Sequence, residues 1–190
     1  RLVGPPRGHP PAPRGTPSLT NPPPPPPSKV NRRNREALKQ VHVPDHLRVH
    51  WLLRKHEDEI IREFHGLLTG PLGPTRFPSY QQLTPEQHEW HHRLLMRHVL
   101  NAVRTRDRGV FMGYCRDLAE RRLSEGFEAN ELCGALEGFN LACLRVLRRD
   151  QSLQDLRQAI TDHLTATLRA GCDQAQEVFE LHAARKRRHR

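Results

Sequence analysis

The segment His88-Glu89-Trp90-His91-His92 reads H-E-x-x-H. On a helix this spacing sets two imidazoles one turn apart, able to grip one zinc ion, with the intervening Glu as base. His88 and His92 share a helical face with Leu95, Val99 and Val103, and Glu89 lies about 100° round the axis. His98 stands where a metzincin's third His would follow, but that family turns its chain at a Gly, and Leu95 occupies that position. The strand that accompanies a zincin helix has no counterpart in the pattern. Glu89 and His92 also make one E-x-x-H, the unit a ferritin-like di-iron bundle needs twice, and no second one occurs. Protease and di-iron chemistry are set aside on these grounds.

His56, on the inward face of a first helix, and His163, near that of the last, add to His88 and His92. If three helices converge, these four imidazoles are candidate metal or haem ligands. The competing expectation makes each a core histidine meeting a carbonyl or a water. Phosphate-binding glycine loops, a G-x-S-x-G elbow and a Ser/His/Asp order are all lacking, so no enzymatic activity and no cofactor are expected. Trp51 and Trp90 fall toward the polar sides of their helices and are candidate interface anchors.

The elements that must hold these residues are helical. Pro44 and Asp45 open a helix over 45–68, with Asp45 as N-cap and Leu52, Leu53, Ile60, Ile61, Phe64, Leu67 and Leu68 inward. Gly70, Pro71, Gly73 and Pro74 end it, and residues 69–83 form a loop closed by Phe77, Pro78 and Tyr80. Thr84-Pro85-Glu86-Gln87 is a capping box with Pro at the first helical position, predicting a helix to about Arg104. Asp107 caps a third helix to Leu123, with Val110, Phe111, Tyr114, Cys115, Leu118 and Ala119 inward. Gly126 stops it. A fourth helix spans roughly 129–149, with Leu132, Leu136, Phe139, Leu141, Cys143, Leu144 and Leu147 apolar, and a last long helix covers 151–183. No segment alternates with period two. The fold class is therefore all-α, a bundle of about five main helices and large enough for one core.

Charge and proline separate the ends from this body. Twelve of the 17 prolines lie in residues 1–27, so residues 1–40 are expected to be a Pro-rich disordered tail. The domain is placed at 41–183 and a basic tail at 184–190. Residues 1–39 carry eight Lys/Arg against one Glu, and residues 183–190 five against none, whereas 40–182 hold 18 against 20 acids. The basic character thus lies in the ends, which argues against specific nucleic-acid recognition by the folded surface and leaves weak binding through the tails as a third reading. No apolar run reaches membrane-spanning length and no signal peptide is visible. Cys115, Cys133, Cys143 and Cys172 show no C-x-x-C spacing, so reduced thiols in a cytoplasmic protein are expected.

Residues 117–147, DLAERRLSEGFEANELCGALEGFNLACLRVL, carry a likeness through Ala119, Arg121, Arg122, Gly126, Phe127, Glu131, Leu132 and Leu136. The stretch resembles the N-terminal domain of RsbR-type regulators of the bacterial stressosome. The segment WLLRKHEDEIIREF resembles that family's first helix, and the likeness spans about residues 46–182. It implies a globin-like helical fold without haem, dimeric, serving as a sensory module that works through protein contacts. Such modules usually precede a STAS domain. Residues 1–190 hold no STAS pattern, so the family's phosphoacceptor threonines are not carried over. Together with the residue pattern, the leading expectation is a non-enzymatic regulatory module, homodimeric, that binds a regulatory protein partner. A His-based metal- or haem-binding protein is the alternative.

Overall fold

The computed structural model of the chain describes residues 43–188, apart from the side chains of 152–154. The expected Pro-rich tail over 1–40 lies outside the described residues. Those described form helices joined by short connections, with no strand among them. In order they are α1 (Asp45–Lys55), α2 (Glu57–Thr69), α3 (Gly73–Arg76), a 3-10 turn (Ser79–Gln82), α4 (Pro85–Thr105), α5 (Gly109–Ser124), α6 (Ala129–Leu147), a second 3-10 turn (Gln151–Leu156), α7 (Arg157–Ile160), a π turn (Thr161–Thr165) and α8 (Ala166–Arg188).

The helix expected over 45–68 is broken at His56. The N-cap position is Pro44, without a side-chain cap, and Asp45 is instead the first helical residue, paired with Arg48. At the break, His56 departs from helical geometry with φ −105° and ψ 15°. Its imidazole meets Asp150 at 3.0 Å and Glu59 at 3.4 Å, and Lys55 meets Asp150 at 2.8 Å. A partner brought from beyond α6 thus fixes the kink. Helix α2 then begins with Glu57, Asp58 and Glu59, acidic side chains that favour a helix N-terminus.

The capping box at α4 forms as the sequence predicts: the Gln87 backbone N–H reaches the Thr84 hydroxyl at 3.3 Å and the Thr84 N–H reaches the Gln87 side chain at 2.8 Å. Asp107 accepts from the Gly109 N–H at 2.8 Å where α5 starts. Gly126 (φ 87°) turns the chain after α5. The last expected helix is divided: a 3-10 turn, one α turn and a π turn precede α8, which then continues through Arg188. Most of the basic segment assigned to a tail is therefore helical.

Helix α5 packs along α8, α6 lies against α2 and α8, and α4 lies against α1, α2 and α5. Gly171 allows the first of these contacts, since a Cβ there would stand 2.5 Å from Phe111 and 2.7 Å from the Cys115 sulfur. The main core joins Leu53, Ile60, Phe64, Met96, Val99, Phe111, Phe139 and Leu164, with Phe64 and Phe139 edge to face at 5.2 Å. Val110 and Leu141, expected inward, are exposed instead. No helix among the described residues is long and apolar enough to cross a membrane.

Candidate metal centre

Helix α4 delivers His88 and His92 to the same side one turn apart, with ring centroids 5.4 Å apart. Both are buried, 4% and 3% exposed. Helix α2 crosses that face and adds His65, whose ring lies 5.2 Å from that of His88 and 5.7 Å from that of His92. One nitrogen from each of the three lies within 4.8 Å of the other two.

The protonation pattern follows from hydrogen bonding. His88 Nε2 is 3.1 Å from the Tyr80 carbonyl oxygen. A carbonyl only accepts, so Nε2 carries the proton and Nδ1 presents a lone pair. That Nδ1 and the Nε2 of His92 are buried and meet no hydrogen-bond partner among the described residues. Burial first, and then the neighbouring His65, lower the pKa of His88. Burial first, then His88 and His65, push His92 down to about 3. Both imidazoles are neutral near pH 7, the form that binds a metal.

A layer behind these histidines holds this geometry. Glu131, buried at the start of α6, accepts from the Ser79 N–H and hydroxyl, each at 2.8 Å, and from the Glu128 N–H at 3.2 Å. Gln81 donates to the Leu68 and Phe77 carbonyls at 2.9 and 3.1 Å. Arg122, 2% exposed, lies over the Phe127 and Tyr80 rings at 4.6 and 5.7 Å and bonds Glu125 at 2.6 Å. These contacts hold Ser79 and Gln81 on either side of Tyr80, and the Tyr80 ring itself, around the carbonyl that meets His88. An imidazole whose second nitrogen is pinned by a carbonyl is the usual outer shell of a metal site.

On the outer side, His65 and His92 line a cleft of about 450 Å³ with Asp58, Arg62, Glu89 and Arg93. Glu89, the residue a zincin would use as base, is exposed and bonded to Arg93 at 3.0 Å.

Of the four candidate histidines, the structure brings only His88 and His92 together. His56 is held at the α1–α2 kink by Asp150 and Glu59. His163 lies in the π turn, edge to face with His46 at 5.7 Å. Neither reaches the cluster, because each belongs to an ion-pair or ring contact at another end of the bundle. His98 stacks on Tyr114 at 4.2 Å. Trp51 and Trp90 are 62% and 53% exposed, on the polar sides of their helices as the sequence predicts. His65 is the ligand candidate the pattern did not single out. Its one local signal is a place four residues after Ile61 and three before Leu68, on the edge of the apolar face of α2. Compared with known proteins, the chain matches no family model, no curated protein and no solved structure.

Proposed function

We propose that this domain binds one borderline transition-metal ion, of which Zn²⁺ is the reference case, through His65, His88 Nδ1 and His92 Nε2. The observation that carries the reading is a pair of buried, unpartnered imidazole nitrogens on two rings that share a close group of three with His65. A buried polar atom without a partner costs about 1–3 kcal/mol, and a metal ion turns that cost into bonds. Three neutral nitrogen donors suit zinc, copper or nickel and do not suit magnesium or calcium, which take oxygen.

The test is a Zn²⁺ titration of untagged protein against a competing chelator. Wild type is expected to take up one ion per chain. His65→Ala and His88→Ala each lower the affinity by more than about a hundredfold, beyond the usual effect of losing an outer-shell partner. His163→Ala leaves the affinity unchanged. Equal affinity in wild type and His88→Ala contradicts the assignment.

A second reading, the RsbR-like contact module, draws on a different place. Trp51, with Val43, Leu47 and Leu156, borders an apolar hollow of about 510 Å³. An exposed Trp over such a hollow suits an anchor in a homodimer, with a second copy of the chain as its occupant. Light scattering of wild type and Trp51→Ala tests this: a dimer that Trp51→Ala dissociates supports it, and a monomeric wild type at micromolar concentration rules it out.

A further inference from the structure

The donors of the metal centre are arranged unevenly around the place where an ion would sit. His88 approaches from the interior, its ring pinned to the Tyr80 carbonyl, and it does not line the cleft. His65 and His92 do line it. The His88 and His92 donor nitrogens are buried, whereas His65 is only half-buried, so the side of an ion nearest His65 is the one that can reach this cleft, whose volume of about 450 Å³ suits a small molecule. Three protein donors with one exchangeable position is the arrangement of reactive rather than purely structural zinc.

Charge then selects the occupant. Imidazole donors bring no negative charge, so they leave the full charge of a dication uncompensated. The two carboxylates on the cleft, Glu89 and Asp58, are both engaged by Arg93, at 3.0 and 3.4 Å. Arg62, exposed on the same wall, has no ion pair among the described residues. The open side of the site thus presents a dication and an unpaired guanidinium, and guanidinium groups match carboxylate-type oxygens well.

We infer, building on the metal reading above, that the ion's open position takes a small oxygen-donor monoanion of the carboxylate or bicarbonate class, with Arg62 completing its recognition. Recognition combines one metal–oxygen bond with a charge-assisted hydrogen bond from the Arg62 guanidinium. No covalent change in the anion is required.

Co²⁺ serves as the spectroscopic probe in the full chain, with azide as reporter anion and acetate and bicarbonate as competitors. The expected result is a set of visible bands on Co²⁺ loading that shift with one-site saturation on adding azide. Acetate or bicarbonate reverses the shift. Arg62→Gln keeps the Co²⁺ bands but weakens azide and acetate by about tenfold, in the range of a lost charge-assisted hydrogen bond. Bands that form yet ignore all three anions overturn this inference and leave the metal reading standing. Bands that respond only in Glu89→Gln also overturn it, because the Glu89 carboxylate then fills the position. Absence of any bands removes the metal reading, and this inference with it.

Discussion

Acidification of the metal-free protein isolates the energetics of His92. Its imidazole is 3% exposed and its pKa is lowered from 6.5 to about 3, by burial first and by the neighbouring His88 and His65 next. In the unfolded chain the same group takes a proton near pH 6.5. Between these values the unfolded state holds more protons than the native state, so stability falls as pH falls. For a group displaced this far, lowering the pH from about 7.5 to about 5 removes about 2 kcal/mol, with a slope near 1.4 kcal/mol per pH unit at the acid end. The window stops at about pH 5 because carboxylates begin to protonate below it. The assay is urea unfolding with a chelator present, midpoint against pH, for wild type and His92→Leu. Leu carries no titrating group and removes the orphaned nitrogen, so the variant should lose about 2 kcal/mol less over the same range. Parallel curves for the two proteins would refute the argument that His92 is buried and neutral.

Other perturbations test the shell around the site and the packing. Glu131→Ala strands the Ser79 and Glu128 donors. It should cost about 1–3 kcal/mol in denaturant unfolding and weaken Zn²⁺ about 10- to 100-fold in a chelator competition, through the Tyr80 carbonyl that pins His88. Thr84→Ala removes the α4 cap bond to Gln87 and should cost about 1 kcal/mol by the same unfolding assay. Gly171→Ala drives a methyl group into Phe111 and Cys115, and calorimetry should show a lower Tm corresponding to about 1–3 kcal/mol of overpacking.

The parts of this structure that could be read from sequence are those fixed by near neighbours. The α4 boundary was legible because Thr84, Pro85 and Gln87 satisfy the first turn among themselves. The α5 stop was legible because Gly126 supplies the positive φ that the turn requires. His88 and His92 were legible as a pair because helical geometry alone puts them on one face. The kink at His56 was not, since its main partner, Asp150, is 94 residues away in the chain. For the same reason local spacing neither singles out His65 nor separates His163 from His88 and His92: which helices meet, and at which level, depends on packing that no local spacing encodes. Helix α8 runs past the expected end at 183 to Arg188, because the run Arg185, Lys186, Arg187 and Arg188 has the composition of a solvated tail but also suits a helix end. At a helix C-terminus such cations oppose the exposed carbonyl dipoles and extend the helix.

The most direct test of the central claim is anomalous diffraction at the zinc edge from crystals of untagged, Zn²⁺-loaded protein. One strong peak is expected between α2 and α4, about 2.0–2.1 Å from a nitrogen of each of His65, His88 and His92, the usual zinc–imidazole distance. A peak at any other group of side chains, or a loaded crystal with no peak between these helices, contradicts it.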